Sequence, residues 1–229
     1  MKLHYVFIII GLLWSEGVYA QEDINADPKL IYAIRTINLN HAYNDEAEEV
    51  KGSPYLNNEF VVGEVIYDNR KPVTPVLLRY NIFKDQIEYF QKEKVLELLK
   101  VPALQMAILG EDTMVYRKHP TEKGVDGVFF RLVHTGNKVS LLEKLTVTYK
   151  PAVAPKAIQD PQPARYLLEP PQYFLEYEDG RTEKFGSIKK MIQLLPDHQP
   201  EMEAYVKKEK ISGKKTETLK ALLNYYHQL

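Results

Sequence analysis

The chain reads as an α+β protein, an antiparallel β-meander (sandwich or partly open barrel) with short C-terminal helices packed on it. Three observations predict this. In Val76-Leu77-Leu78-Arg79-Tyr80-Asn81-Ile82-Phe83, the residues Val76, Leu78, Tyr80 and Ile82 share one face and Arg79 and Asn81 the other. That is the period of two expected of a half-buried strand. Polar turns then recur at spacings near ten residues, too short for the helical crossovers that parallel strands need. After Ser187 the period lengthens, and Ile188, Met191, Ile192 and Leu195 share a helix face.

In order, residues 1–20 read as a secretory signal peptide. Lys2 and His4 precede an apolar stretch, Tyr5 to Trp14, and Val18-Tyr19-Ala20 offers small residues before a cut at Gln21. The stretch is about half the roughly twenty residues that span a bilayer. No cysteine follows to carry a lipid, and none occurs anywhere in the 229 residues. Once exported, the chain must be stabilised by packing without disulfides. A net charge of −1 gives no electrostatic case for nucleic acid or an anionic bilayer.

Residues 21–51 form an arm with mixed signals. Asp27-Pro28 could open a helix, while Ile31, Ile34, Thr36 and Ile37 favour a strand. Residues 52–150 hold the meander. Gly52-Ser53-Pro54-Tyr55-Leu56-Asn57-Asn58 is the turn cluster that opens it. Further strands flank Asp68 to Pro72, Lys84 to Gln86, Gly110 to Asp112, and Thr135-Gly136-Asn137, where Gly and Asn tolerate positive φ. Residues 151–164 carry Pro151, Pro155, Pro161 and Pro163 with neither period and read as a connector. Residues 165–186 form a hairpin about Asp179-Gly180, a type I′ signal. In residues 187–229 Ser187 caps a first helix, Pro196 to Pro200 break it, and Thr216 caps the last.

The chemistry is sparse. None of Ser53, Ser140, Ser187 and Ser212 lies in a Gly-x-Ser-x-Gly elbow, and no glycine-rich phosphate cradle occurs. His41, His119, His134, His198 and His227 include no pair at metal-ligand spacing, though His119 and His134 could meet across strands. Glu59, Glu64, Glu88 and Glu97 lie on or beside strands and could pair for glycan cleavage, but solvated glutamates on an outer sheet face are the plainer expectation. Tyr67, Tyr80, Tyr89, Tyr116, Tyr173 and Tyr177 fit sheet packing. The C-terminal segment has eight lysines against five acidic residues and no arginine, as solvated helix faces would, so DNA reading is not expected.

Two stretches, Gly52-Ser53-Pro54-Tyr55-Leu56-Asn57 with Phe60, and Leu78-Arg79-Tyr80-Asn81-Ile82-Phe83 with Asp85, Ile87 and Glu88, resemble a group of uncharacterised exported proteins of Bacteroidota. The ending, Ile188 through Tyr205-Val206-Lys207 to Leu219, Leu222 and Tyr225-Tyr226, is similar to that group's. The resemblance implies a periplasmic or outer-membrane-associated setting and carries no catalytic residue. The expectation is a non-enzymatic exported binding or structural protein without cofactor or metal. Its motif residues are Gly52, Tyr55, Asn57, Arg79, Tyr80 and Asn81, and its partner is an envelope protein or a small apolar ligand. The alternatives are a carrier of a lipid-like ligand in a curved-sheet cavity and an envelope glycan hydrolase. Arg79 is expected to pair with a carboxylate beneath the helices.

Overall fold

The computed structural model describes residues 34–36, 50–68, 70–92, 94–121, 124–154 and 162–229. The leader, most of the arm and part of the connector lie outside these residues. Among the described residues thirteen strands precede three helices. They are β1 (Ile34–Thr36), β2 (Val61–Tyr67), β3 (Val73–Asn81), β4 (Gln86–Gln91), β5 (Lys94–Leu98), β6 (Leu104–Leu109), β7 (Asp112–Thr121), β8 (Gly124–His134), β9 (Val139–Lys144), β10 (Val147–Lys150), β11 (Arg165–Leu168), β12 (Gln172–Tyr177) and β13 (Thr182–Phe185). The helices are α1 (Ile188–Leu194), α2 (Gln199–Lys208) and α3 (Thr216–Tyr226). Eleven strands make one open sheet in the order β1-β5-β4-β3-β2-β6-β7-β8-β9-β12-β13, all pairs antiparallel, and β10 pairs with β11 separately. The α+β architecture is as the sequence predicts.

That order forces a curl. The chain leaves β5 and enters β6 four strand positions away, a distance of about 19 Å in a flat sheet. The intervening residues 99–103 could reach that far only fully extended. They are instead folded, with Val101 N–H donating to Leu99 O and Leu104 N–H to Val101 O, both at 3.0 Å. The sheet therefore rolls, and contacts across the roll agree. Lys100 Nζ lies 2.6 Å from Asp85 Oδ2, and Phe129 N–H of β8 donates to Asp85 Oδ1 at 3.2 Å. The interior of the roll is one core, with Leu78, Tyr80, Ile87, Tyr89, Met114 and Phe129 almost wholly buried.

Beyond β8 the same face is covered by helices. Leu141, Tyr173, Leu175 and Phe185 pack against Met191, Met202, Leu219, Leu222 and Tyr226. Val115, Phe130, Leu142 and Phe174 occupy the opposite face and are equally buried. Strands buried on both faces lose the alternating pattern, hence the continuous apolar runs Val128-Phe129-Phe130 and Leu141-Leu142.

Several local expectations are corrected. Gly180 has φ +78° but Asp179 does not share it, and Gly180 N–H donates to Tyr177 O. That is a three-residue type I turn with a G1 bulge rather than a type I′ turn. Neither Gly136 nor Asn137 has positive φ; Gly136 is favoured because a Cβ there would lie 2.6 Å from the backbone Val139 O and would also meet the His227 ring. Pro200 lies in the first turn of α2, where a missing N–H is harmless, so it helps start a helix. Ser187 caps α1 as expected, its Oγ accepting from Lys190 N–H. At α3 the cap position belongs to Lys215, and Thr216 serves another purpose. The segment read as connector contributes Val153, bridged to Gln162, and leads into β11, which pairs with β10.

Candidate functional site

The motif residues converge at the start of the roll. Gly52 has φ +77°, and a Cβ there would lie 2.3 Å from Tyr166 O, so only glycine fits. Lys51 N–H donates to Ala164 O while Tyr166 N–H donates to Lys51 O, tying this turn to β11. Leu56 N–H then donates to Tyr80 O and Ile82 N–H to Pro54 O, laying residues 52–60 over the end of β3, with Tyr55 bridged to Asn81.

Beneath that segment Arg79 faces Glu88 in direct antiparallel register. Its Nη2 and Nε donate to Glu88 Oε2 at 2.7 and 3.2 Å, and Nη1 donates to Asn58 O at 3.1 Å. The guanidinium lies 3.8 Å from the Tyr55 ring centre and 4.4 Å from that of Phe60, so it is stacked between two aromatic faces. Glu88 is 0% exposed, and its other oxygen accepts from Asn81 Nδ2 at 3.4 Å. Asn81 Oδ1 accepts from Lys84 N–H and holds the β3–β4 turn. Burial raises the Tyr55 phenol, and the Glu88 charge raises it further.

Arg79 thus has the expected carboxylate partner, under the 52–60 segment and not under the helices. Glu88, read as a solvated outer-face residue, is buried and neutralised. Tyr80 points the opposite way, into the roll, where its hydroxyl donates to Asp85 Oδ1 at 2.7 Å. Burial and then the Asp85 charge raise that phenol well above its ordinary value. Asn57 is not drawn in: among the described residues its side chain has no hydrogen bond, and Asn58 provides the carbonyl instead.

Next to this cluster lies a feature the alternation argument missed. Val62, Leu77, Phe90 and Val95 are successive cross-strand partners over β2, β3, β4 and β5. They point away from the roll's interior. Val62 is 64% exposed, Phe90 41% and Leu77 39%. Phe60 continues the row, its ring centre 5.9 Å from that of Phe90. A shallow groove of about 270 Å³ runs along it between Pro75 and Gln91. Pro75 fits there because the β2–β3 register slips between Gly63 and Val65, which relieves the need for a donor. The signal was present in sequence, since Val62, Leu77 and Phe90 are apolar at outward positions. Reading only the inward residues of β3 hid it.

A second buried charge was also missed. Glu143 of β9 is 1% exposed and lies opposite Arg131 of β8. Arg131 Nε donates to Glu143 Oε2 at 2.6 Å and Nη1 to Asp112 Oδ1 at 3.2 Å. Thr216 donates its hydroxyl to Glu143 Oε1 at 3.1 Å and lies 2.8 Å from Tyr173 Oη. This network joins the sheet to the first turn of α3. Elsewhere, the His134 and His227 rings stack at 5.3 Å; the side chain of His119 lies outside the described residues. Among the described residues no three His, Cys, Asp or Glu side chains gather as metal ligands, and no helix is long and apolar enough to cross a membrane.

Both buried glutamates are consumed by internal ion pairs, while the outer face of β2–β5 presents apolar side chains to solvent. Compared with known proteins, the chain matches no family model, and neither the curated proteins nor the solved structures give a match.

Proposed function

We propose that this chain is an exported, non-catalytic binding protein of the cell envelope, and that its partner docks on the outer face of β2–β5. The observation that carries the reading is the row Val62, Leu77, Phe90 and Val95, extended by Phe60, at positions where a one-sided sheet ordinarily places polar residues. Its groove of about 270 Å³ is smaller than small-molecule sites usually are, so the occupant is a protein surface with an apolar centre. Lys92 and Lys94 are exposed beside Phe90 and Val95, which favours acidic residues on the partner's rim. Export rests on the leader-like residues 1–20, and the envelope setting on the resemblance to exported Bacteroidota proteins.

The packed interior of the roll supports recognition on its outside over carriage of a lipid within. Glu88, bound to Arg79 below Tyr55 and Phe60, lacks the open cleft that a glycan hydrolase needs. The test is capture from envelope extracts with wild-type protein beside Val62→Lys and Phe90→Lys. A species recovered by the wild type and lost by both variants supports the reading. Equal recovery by all three overturns it.

A further inference from the structure

The helical end of the molecule carries a second apolar depression, independent of the docking row. It lies between α1, α2 and the loop before α3, and has a volume of about 640 Å³. Its apolar lining is Ile188, Val206 and Ile211, each half-buried. Lys189, Lys207 and Lys214 also line it, all exposed. Among the described residues no carboxylate forms an ion pair with any of the three. Glu203, the one acidic lining residue, lies one turn before Lys207 on α2 and offsets a single charge. Two positive charges remain uncompensated beside an apolar floor.

The loop presents this arrangement through backbone turns. Lys210 has φ +51° and Gly213 φ +78°, and Ile211 N–H donates to Val206 O at 3.0 Å. The chain thereby folds back after α2, so that Ile211 and Lys214 line the same depression as Val206 and Lys207.

We propose that this depression binds a single-chain anionic amphiphile, an alkyl phosphate or carboxylate. The alkyl tail lies over Ile188, Val206 and Ile211, and the head group is held by Lys189, Lys207 and Lys214. Size, chemistry and charge argue together. The volume is that of a small-molecule site. A bare inorganic anion would leave the apolar floor wet, and a neutral detergent would leave the ammonium groups unpaired.

The experiment titrates the full chain with dodecyl phosphate, dodecyl maltoside and inorganic phosphate, each below its micellar concentration where it has one. Binding is read by calorimetry and by shifts of the Val206 and Ile211 methyl resonances. Dodecyl phosphate is expected to bind one to one, about tenfold or more tighter than the maltoside. Inorganic phosphate should leave the methyl resonances unmoved. Lys207→Glu with Lys214→Glu should weaken dodecyl phosphate by a similar factor. These sites are exposed, so the melting curve should stay that of the wild type; Lys214→Glu alone, in the loop, replaces the pair if it does not. Equal affinity for maltoside, reproduction of the shifts by phosphate, or indifference to the charge reversal overturns the proposal.

Discussion

The two halves of the molecule each bury a glutamate opposite an arginine on the neighbouring strand, and they support it differently. In the roll, Glu88 has among the described residues one counter-ion, Arg79, and a 3.4 Å bond from Asn81, and the position of Arg79 depends on Tyr55, Phe60 and the Asn58 carbonyl. On the helix-covered half, Glu143 has Arg131, the Thr216 hydroxyl and the first turn of α3. The amide dipoles at that helix start also favour a nearby anion. Arg131 itself is shared with Asp112. Each carboxylate has its arginine; beside it, among the described residues, Glu88 has only the 3.4 Å bond from Asn81, whereas Glu143 has the closer Thr216 hydroxyl at 3.1 Å. The difference predicts unequal tolerance to losing the arginine.

The largest effect belongs to Arg79→Met. It leaves Glu88 buried without a counter-ion and removes the group that Tyr55, Phe60 and Asn58 enclose. Breaking a buried pair in this way costs about 3–5 kcal/mol, read as a lower denaturant midpoint. Arg131→Met should cost less, about 1.5–3 kcal/mol, because Thr216 still donates to Glu143. Equal losses would show that the extra donors at Glu143 contribute nothing. The double variants Arg79→Met with Glu88→Gln and Arg131→Met with Glu143→Gln sharpen the contrast. Removing the orphaned charge should restore more stability in the first pair than in the second.

How far the sequence revealed these clusters follows from the range of the contacts. Alternation in β3 placed Arg79 away from the core, and Arg79 and Glu88 flank one short turn, so their partnership was within reach. That 52–60 would fold over them depended on backbone bonds from Leu56 to Tyr80 and from Ile82 to Pro54, which no side-chain pattern records. Tyr80 was placed correctly on the inward face, yet its partner Asp85 was visible only as a turn residue. Thr216 shows the other limit. A threonine ahead of an apolar helical pattern reads as a cap, and here its hydroxyl turns to a glutamate 73 positions earlier. The curl of the sheet was equally hidden, because pairing of β6 with β2 and not with β5 is a long-range choice.

A smaller effect tests the helix side alone. Thr216→Val keeps the shape but removes the hydroxyl that links Glu143 and Tyr173. A loss of about 1 kcal/mol is expected. In the Arg131→Met background the same change should cost more, since Thr216 is then a principal donor left to Glu143. Additive losses would separate the two groups and dissolve the idea of shared support.

The smallest effect is a pH dependence confined to the helix-covered half. His134 is lowered from its ordinary value by burial, then by His227 and Lys220. Among the described residues its Nε2 is enclosed without a hydrogen-bond partner. A depressed folded-state value means that the unfolded chain binds the proton more readily. The stability contributed by neutral His134 is therefore complete above the unfolded value, about 6.5, and is lost as pH falls through the lower folded value. Melting temperature should decline from pH 7 toward pH 5, and His134→Gln should flatten that decline. The roll has no equivalent histidine among its described core residues, so in the wild type the decline belongs to the helix-covered half. If both halves weaken together with acid, the stacked pair of His134 and His227 is not what titrates.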